Sequence, residues 1–188
     1  MNTITHARGE TARPVTPHDP IEFILAEHLM HRAMCKELER LASMAGFEPA
    51  PIEAMAAYIR VDLALHIRDE EEDFFPMLRK CCQPDDEISP ILRRLSAEHQ
   101  TDKRLSARVV DFLDASLAAG TPLGKSEGAV EALKAFSENE RRHLALENAV
   151  IIPIARRRFE RSDLQTLSRR LLARRRQVDG AGTGGQPK

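Results

Sequence analysis

Residues 55–77, MAAYIRVDLALHIRDEEEDFFPM, decide the fold. Met55, Ile59, Leu63, Phe74 and Met77 recur at steps that keep to one face of a helix, and His66 and Glu70 stand on that same face. A helix that turns two ionisable groups toward its own core must find something polar there. Three more such patterns surround it. Asp19 followed by Pro20 reads as an N-cap with proline at the first helical position, and Ile21, Ile24, Leu25, His28, Leu38 and Leu41 form a stripe that Gly46 should end. The central helix itself runs from about Pro51 to Cys82, with Pro76 expected to kink its last turns. A third runs from about Glu87 to Ala118 through Leu92, Leu95, His99, Val110, Leu113 and Leu117. The fourth runs from about Ser126 to Phe159 through Leu133, Phe136, His143, Glu147, Val150, Ile151 and Ile154. Long amphipathic helices with short connections predict an all-α, antiparallel up-down-up-down four-helix bundle over 18–160. Residues 1–17 are expected to be a disordered lead-in. Residues 161–177 should form a basic helix capped by Ser162, and 178–188 a disordered tail.

The whole chain agrees with this reading. Its 188 residues suit one domain with tails, and 42% hydrophobic and 30% charged residues with no Trp, one Tyr and 9 Gly exclude a turn-rich β sandwich or barrel. There is no apolar run of about 18 residues to span a membrane, and the start MNTITHARGETARPVTPHDP has no apolar stretch of a secretory leader. Three Cys, two of them the neighbours Cys81 and Cys82, cannot form a paired framework, so a reducing, cytoplasmic setting is expected. The net charge of −1 points to no nucleic acid.

His28, His66, His99 and His143 each sit on the apolar stripe of a different helix. In an antiparallel hairpin two residues share a level when they are equally far from the turn. His28 lies 17 residues before Ala45 and His66 15 after Pro51. His66 and Glu70 lie 16 and 12 before Cys82 and His99 12 after Glu87, while His99 lies 19 before Ala118 and His143 17 after Ser126. At about 1.5 Å per residue these agree to within roughly one turn. His66 with Glu70 and His143 with Glu147 are i,i+4 pairs, so each stacks an imidazole and a carboxylate on one face. One core layer then holds four imidazoles and two carboxylates, each costing on the order of 1–3 kcal/mol if left unpaired. Metal ions compensate directly. An all-nitrogen and oxygen donor set suits iron, manganese or zinc, and six donors exceed one tetrahedral ion but suit two that share the carboxylates.

At this point the chain resembles the hemerythrin-like, HHE cation-binding family, over about residues 20–159. The resemblance rests on Ala26-Glu27-His28, on His66 to Glu70-Glu71 followed by Phe75-Pro76, on Glu98-His99, and on His143 to Glu147 followed by Pro153. It implies His28, His66, His99 and His143 as terminal ligands of two irons and Glu70 and Glu147 as bridges, with manganese or zinc as alternatives. The ligand so implied is dioxygen, nitric oxide or peroxide, bound or sensed. The family's oxygen carriers have a second His four residues after the third-helix His, where this chain has Lys103. His31, Asp62, Asp102 and Glu140 are candidates for that vacancy or for support of the ligands, and Lys103 for a proton donor. Glu71 is expected outside the site, and the rest of Asp69 to Asp73 on a solvated face. A di-iron enzyme with catalase-like or oxidase activity is the alternative. A metal-free adaptor is the third reading, since Arg156 to Gln177 holds nine Arg against Glu160 and Asp163 and could meet a protein partner. The simpler expectation for that helix is a cap across the bundle with its Arg outward. The adjacent Cys81 and Cys82 are candidates for redox sensing.

Overall fold

In the computed structural model residues 19–182 are described, with side chains as far as Val178. The lead-in expected over 1–17 lies outside the described residues, as does the expected tail beyond 182. The first helix, α1 (Pro20–Ser43), starts as its sequence requires: the Asp19 carboxylate accepts from the Ile21 N–H at 2.8 Å and the Glu22 N–H at 3.4 Å. The second rod is α2 (Pro49–Tyr58), a π-helical turn (Ile59–Leu63), α3 (Ala64–Asp69), a second π turn (Glu70–Phe74) and α4 (Phe75–Cys81). The third is the single helix α5 (Ile88–Ala119). The fourth is α6 (Ala129–Leu146), a π turn (Glu147–Ile151) and α7 (Ile152–Arg158), and α8 (Arg161–Gly182) follows. There is no strand among the described residues, and no helix among them is long and apolar enough to cross a membrane.

Two of the π turns have a cause in the sequence. Each begins at the Glu of a His-x-x-x-Glu pair, and each is followed by a proline six residues beyond that Glu, Pro76 and Pro153. Proline has no N–H and its ring clashes with the carbonyl four residues earlier. Those carbonyls belong to Glu72 and Ala149, inside the widened turns, where one extra residue opens the ladder. Proline here re-phases the rod instead of only kinking it.

Boundaries shift where turn chemistry intervenes. α1 ends at Ser43, before Gly46, and α6 begins at Ala129, not Ser126, after Gly128 at φ +77°. A 3₁₀ turn (Leu123–Lys125) packs on the end of α1, where a Cβ on Gly124 would stand 2.7 Å from the Ala42 carbonyl oxygen. α8 continues past Gln177 to Gly182.

The rods form a ring in which α1 packs on α6 and α2, and α5 on α2 and α6. Two apolar clusters fill it. One contains Ile24, Phe75, Leu92, Leu95 and Ile151; the other contains Met34, Leu38, Val109, Leu113, Leu133 and Phe136. Between them, on every rod, the buried residues are polar: His28 and His31, His66 and Glu70, His99 and Asp102, Glu140, His143 and Glu147. α8 lies against α1 and the π turn Glu70–Phe74, with Leu167 and Leu171 joining the first cluster.

That fifth helix overturns two expectations. Asp69 and Asp73 are buried, not solvated, and Arg174 and Arg175 point inward to meet them. The flank that four helices would leave to water is covered by α8, and the carboxylates there are neutralised by its guanidinium groups.

Candidate metal centre

The four histidines and two glutamates that sequence spacing placed at one level come together, all between 0% and 3% exposed. They make two overlapping quartets, His28, His66, Glu70 and Glu147, and Glu70, His99, His143 and Glu147. Within each, one donor atom from every residue lies within 4.8 Å of the others. Both glutamates belong to both quartets. His28 Nε2 lies 3.7 Å from Glu70 Oε1 and 3.4 Å from Glu147 Oε2, and His66 Nε2 lies 3.5 Å from Glu70 Oε1. On the other side His99 Nε2 lies 3.2 Å from Glu70 Oε2 and His143 Nε2 3.1 Å from Glu147 Oε1.

These atoms converge without pairing. His28 Nε2, His66 Nε2 and all four carboxylate oxygens of Glu70 and Glu147 are buried and have no hydrogen-bond partner. His99 Nε2 and His143 Nε2 face each other at 3.0 Å, the separation that two bonds of about 2.1 Å at a right angle to one ion produce. Six donors aimed at two shared points, with their polar atoms otherwise orphaned, fit a pair of metal ions.

Three of the outward nitrogens are held by hydrogen bonds, and the fourth, Nδ1 of His143, has an ionic contact with Glu98 but no hydrogen bond. Glu27 on α1 accepts from Nδ1 of His66 at 3.0 Å, and Glu71 on the second rod accepts from Nδ1 of His99 at 2.6 Å. Glu98 on α5 faces Nδ1 of His143 at 3.4 Å, and Asn148 on the fourth rod accepts from Nδ1 of His28 at 2.8 Å. Each partner is the sequence neighbour of a donor on its own rod, yet serves the histidine of the next rod around the ring. A hydrogen bond from Nδ1 fixes the tautomer and turns the Nε2 lone pair inward. Sequence reading missed these roles and placed Glu71 outside the site. Glu71 does lie outside the quartets, but it is fixed by a hydrogen bond from Ser96 at 2.9 Å and reaches His99 across the rods. Adjacency to a donor was the available signal.

The remaining candidates separate clearly. Lys103 is exposed, and it is Asp102 that the helix buries beside His99. The buried seam of α5 runs Ile88, Leu92, Leu95, His99, Asp102, with later members Val109, Leu113 and Ser116. Those positions alternate steps of four and three, so the step after His99 is three. His31 donates from Nδ1 to Glu140 at 2.8 Å, making a buried pair beside the quartets, while Asp62 is half-buried. Cys81 and Cys82 are half-buried, and burial, with Asp163 and Asp86 respectively next, raises both thiols, which opposes thiolate chemistry.

Charge in the metal-free layer follows from this packing. Burial disfavours the charged ring of His66, but the Glu70 carboxylate and the hydrogen bond to Glu27 outweigh it and push its pKa up to about 10. Against the same burial, Glu70 and Glu71 push His99 up to about 9, and Glu147 pushes His143 up to about 10. Glu70, despite its burial, is held well below the usual carboxylate range by these imidazoles, His66 foremost.

Asp102 goes the other way: burial, then the Glu140 carboxylate, raises it to about 6, although Asn139 donates to its Oδ1 at 2.6 Å. A raised folded pKa means that ionised Asp102 costs stability above its unfolded value. Asp102→Asn, which keeps an acceptor for Asn139, is expected to stabilise the metal-free protein by about 1–3 kcal/mol at pH 8. The gain should vanish below pH 4 in urea melts taken across pH.

Compared with known proteins, the chain matches a family model, the Hemerythrin HHE cation binding domain, over residues 19–179, which takes in the whole bundle and nearly all of α8. No curated protein matches it.

Proposed function

The chain belongs to the hemerythrin HHE cation-binding family, and on that premise we propose that it is a di-iron protein that binds or senses dioxygen, with nitric oxide or peroxide as related ligands. The observation that carries this reading is the sharing of Glu70 and Glu147, with all their oxygens unpaired, between two histidine pairs. His28 and His66 would hold one ion, His99 and His143 the other. Iron bound there would supply reducing electrons and an open coordination position for a diatomic ligand. The chain supplies the rest. Glu27, Glu71 and Asn148 orient three of the rings by hydrogen bonds, Glu98 faces the fourth, and the apolar clusters on either side of the layer keep bulk water out. Two histidines and two shared glutamates at each position leave coordination places that no protein donor of the quartets fills, which favours ligand binding over a closed structural site.

The test is elemental analysis of protein made in iron-rich medium, with visible spectra before and after air reaches the reduced form. About two irons per chain and a new visible charge-transfer band on oxygenation are expected. No stoichiometric metal, or one colourless zinc, would sink the reading. Metal uptake should also expel protons. His66, His99 and His143 keep theirs up to about 10, 9 and 10 in the metal-free protein, so at pH 7 binding must displace them. Affinity is expected to rise with pH from 7 and to level off near 10, read by calorimetry in buffers of different ionisation enthalpy. For the metal-free fold the sign is opposite. The charged pairs contribute fully below about pH 6.5 and are lost as pH rises through 9 to 10.

A second reading, peroxide turnover, has one observation in its favour: Asp102 Oδ2 is buried, unpartnered and on a carboxyl raised to about 6, so it can hold and release a proton. Asp102→Asn that leaves peroxide decomposition at the wild-type rate would remove that support. The adaptor reading fares worse, because Arg174 and Arg175 are turned into the bundle.

A further inference from the structure

α8 reaches the centre through one guanidinium. Arg175, 8% exposed, donates from Nη2 to Glu27 Oε1 at 2.6 Å, and the other oxygen of that carboxylate accepts from His66 Nδ1 at 3.0 Å. Nη1 of Arg175 lies 2.7 Å from Asp69 and donates to the Leu171 carbonyl at 3.1 Å, while its Cζ sits 4.2 Å over the Phe23 ring. The guanidinium is therefore fixed on every side. Apart from His66 itself, Arg175 is the one hydrogen-bond partner given for Glu27 among the described residues, and the Glu27 side chain is 17% exposed. Among the described residues no comparable tie from α8 reaches the other half of the ring, where Glu71 is held by Ser96 within the bundle.

We propose that Arg175 is a positioning residue which, through Glu27 and His66, couples docking of α8 to one of the two metal positions. Undocking the helix loosens the ion at His28 and His66 and leaves the ion at His99 and His143 in place. By linkage the effect runs both ways, so an ion at the first position tightens α8 on the bundle. A cellular partner that captured α8 would thereby weaken one ion of the pair. The inference rests on the reading of the centre as a two-ion site.

Cobalt(II) alone, added to metal-free full-length protein and followed by its visible bands against a competing chelator, tests it. The wild type takes two ions. Arg175→Ala weakens one of them by about tenfold to a hundredfold, the scale of losing an outer hydrogen bond to a ligand histidine, and spares the other. Glu27→Ala, which leaves Arg175 its Asp69 contact and α8 docked, gives the same selective loss. The double variant loses no more than either single one, because both break the same link. Arg170→Ala removes an α8 ion pair to Asp73 without touching Glu27 and changes neither affinity. In the wild type cobalt slows hydrogen exchange along α8; in Arg175→Ala and in Glu27→Ala it does not. Equal losses at both ions, multiplied losses in the double variant, or α8 exchange indifferent to cobalt in the wild type overturns the proposal while the two-ion reading stands. A wild type that takes no cobalt overturns that reading, and the coupling with it.

Discussion

Glu70→Ala empties both metal positions at once. Glu70 gives one oxygen toward the histidines of each quartet, Oε1 toward His28 and His66 and Oε2 toward His99, so no ion in the layer keeps its donor set without it. The expected loss is more than about a hundredfold in affinity at each position, beyond what removing an outer partner costs. After dialysis against a mild chelator, elemental analysis should find well under one ion per chain. His28→Ala is the informative contrast. It leaves Glu70, His99, His143 and Glu147 whole, so about one ion of two should survive. Far-UV circular dichroism of both metal-free variants checks that the bundle itself remains. Two ions retained by Glu70→Ala would show that the glutamate is not shared.

The largest effect on stability is expected at Arg174, which belongs to neither quartet. It donates to Asp69, to Asp73 at 2.6 Å and to Glu72 at 2.9 Å, and Asp69 is fully buried. Removing one partner of a buried ion pair leaves an uncompensated charge and costs about 3–5 kcal/mol. Arg175 still meets Asp69 and Arg170 still meets Asp73, so the lower end applies to Arg174→Ala. At about 2–4 °C per kcal/mol for a chain of this size, Tm should fall by roughly 6–12 °C. Asp69→Leu combined with Arg174→Met should cost much less than the two single changes added, because apolar side chains of similar volume replace buried ion pairs at little cost. Additive losses in calorimetry would mean that the pair contributes nothing as a pair.

The two sets of residues explain how much was legible beforehand. Helices α1 and α5 and the rods around His66 and His143 follow from periodicity, from the Asp19 cap and from turn residues, which act over a few positions along the chain. The common level of His28, His66, His99 and His143 follows from equal distances to the turns, because an antiparallel hairpin leaves no other registry. Errors at Gly46 and Ser126 cost two or three residues each and did not move that level. Pro76 signals only a kink in the sequence and Pro153 only the end of a motif, whereas in the structure each proline follows a π turn that begins at a quartet glutamate.

Lys103 and Asp102 mark the limit of spacing arguments. A step of four from His99 is nearly as good as a step of three on an isolated helix, and only the seam against the neighbouring rods decides between them. The acids at 69–73 mark a harder limit. By local composition they are a solvated charge run, and Arg174 and Arg175 a solvated basic one. Their union spans about a hundred residues of chain, and the ring from Glu27 to Asn148 likewise joins every rod to the next. The sequence by itself determined the helices and the level at which four histidines and two glutamates meet, since hydrophobic periodicity and turn geometry are local. The tertiary structure alone decided which carboxylate faces which cation, because that energy depends on distance through space and on burial, and neither is written along the chain.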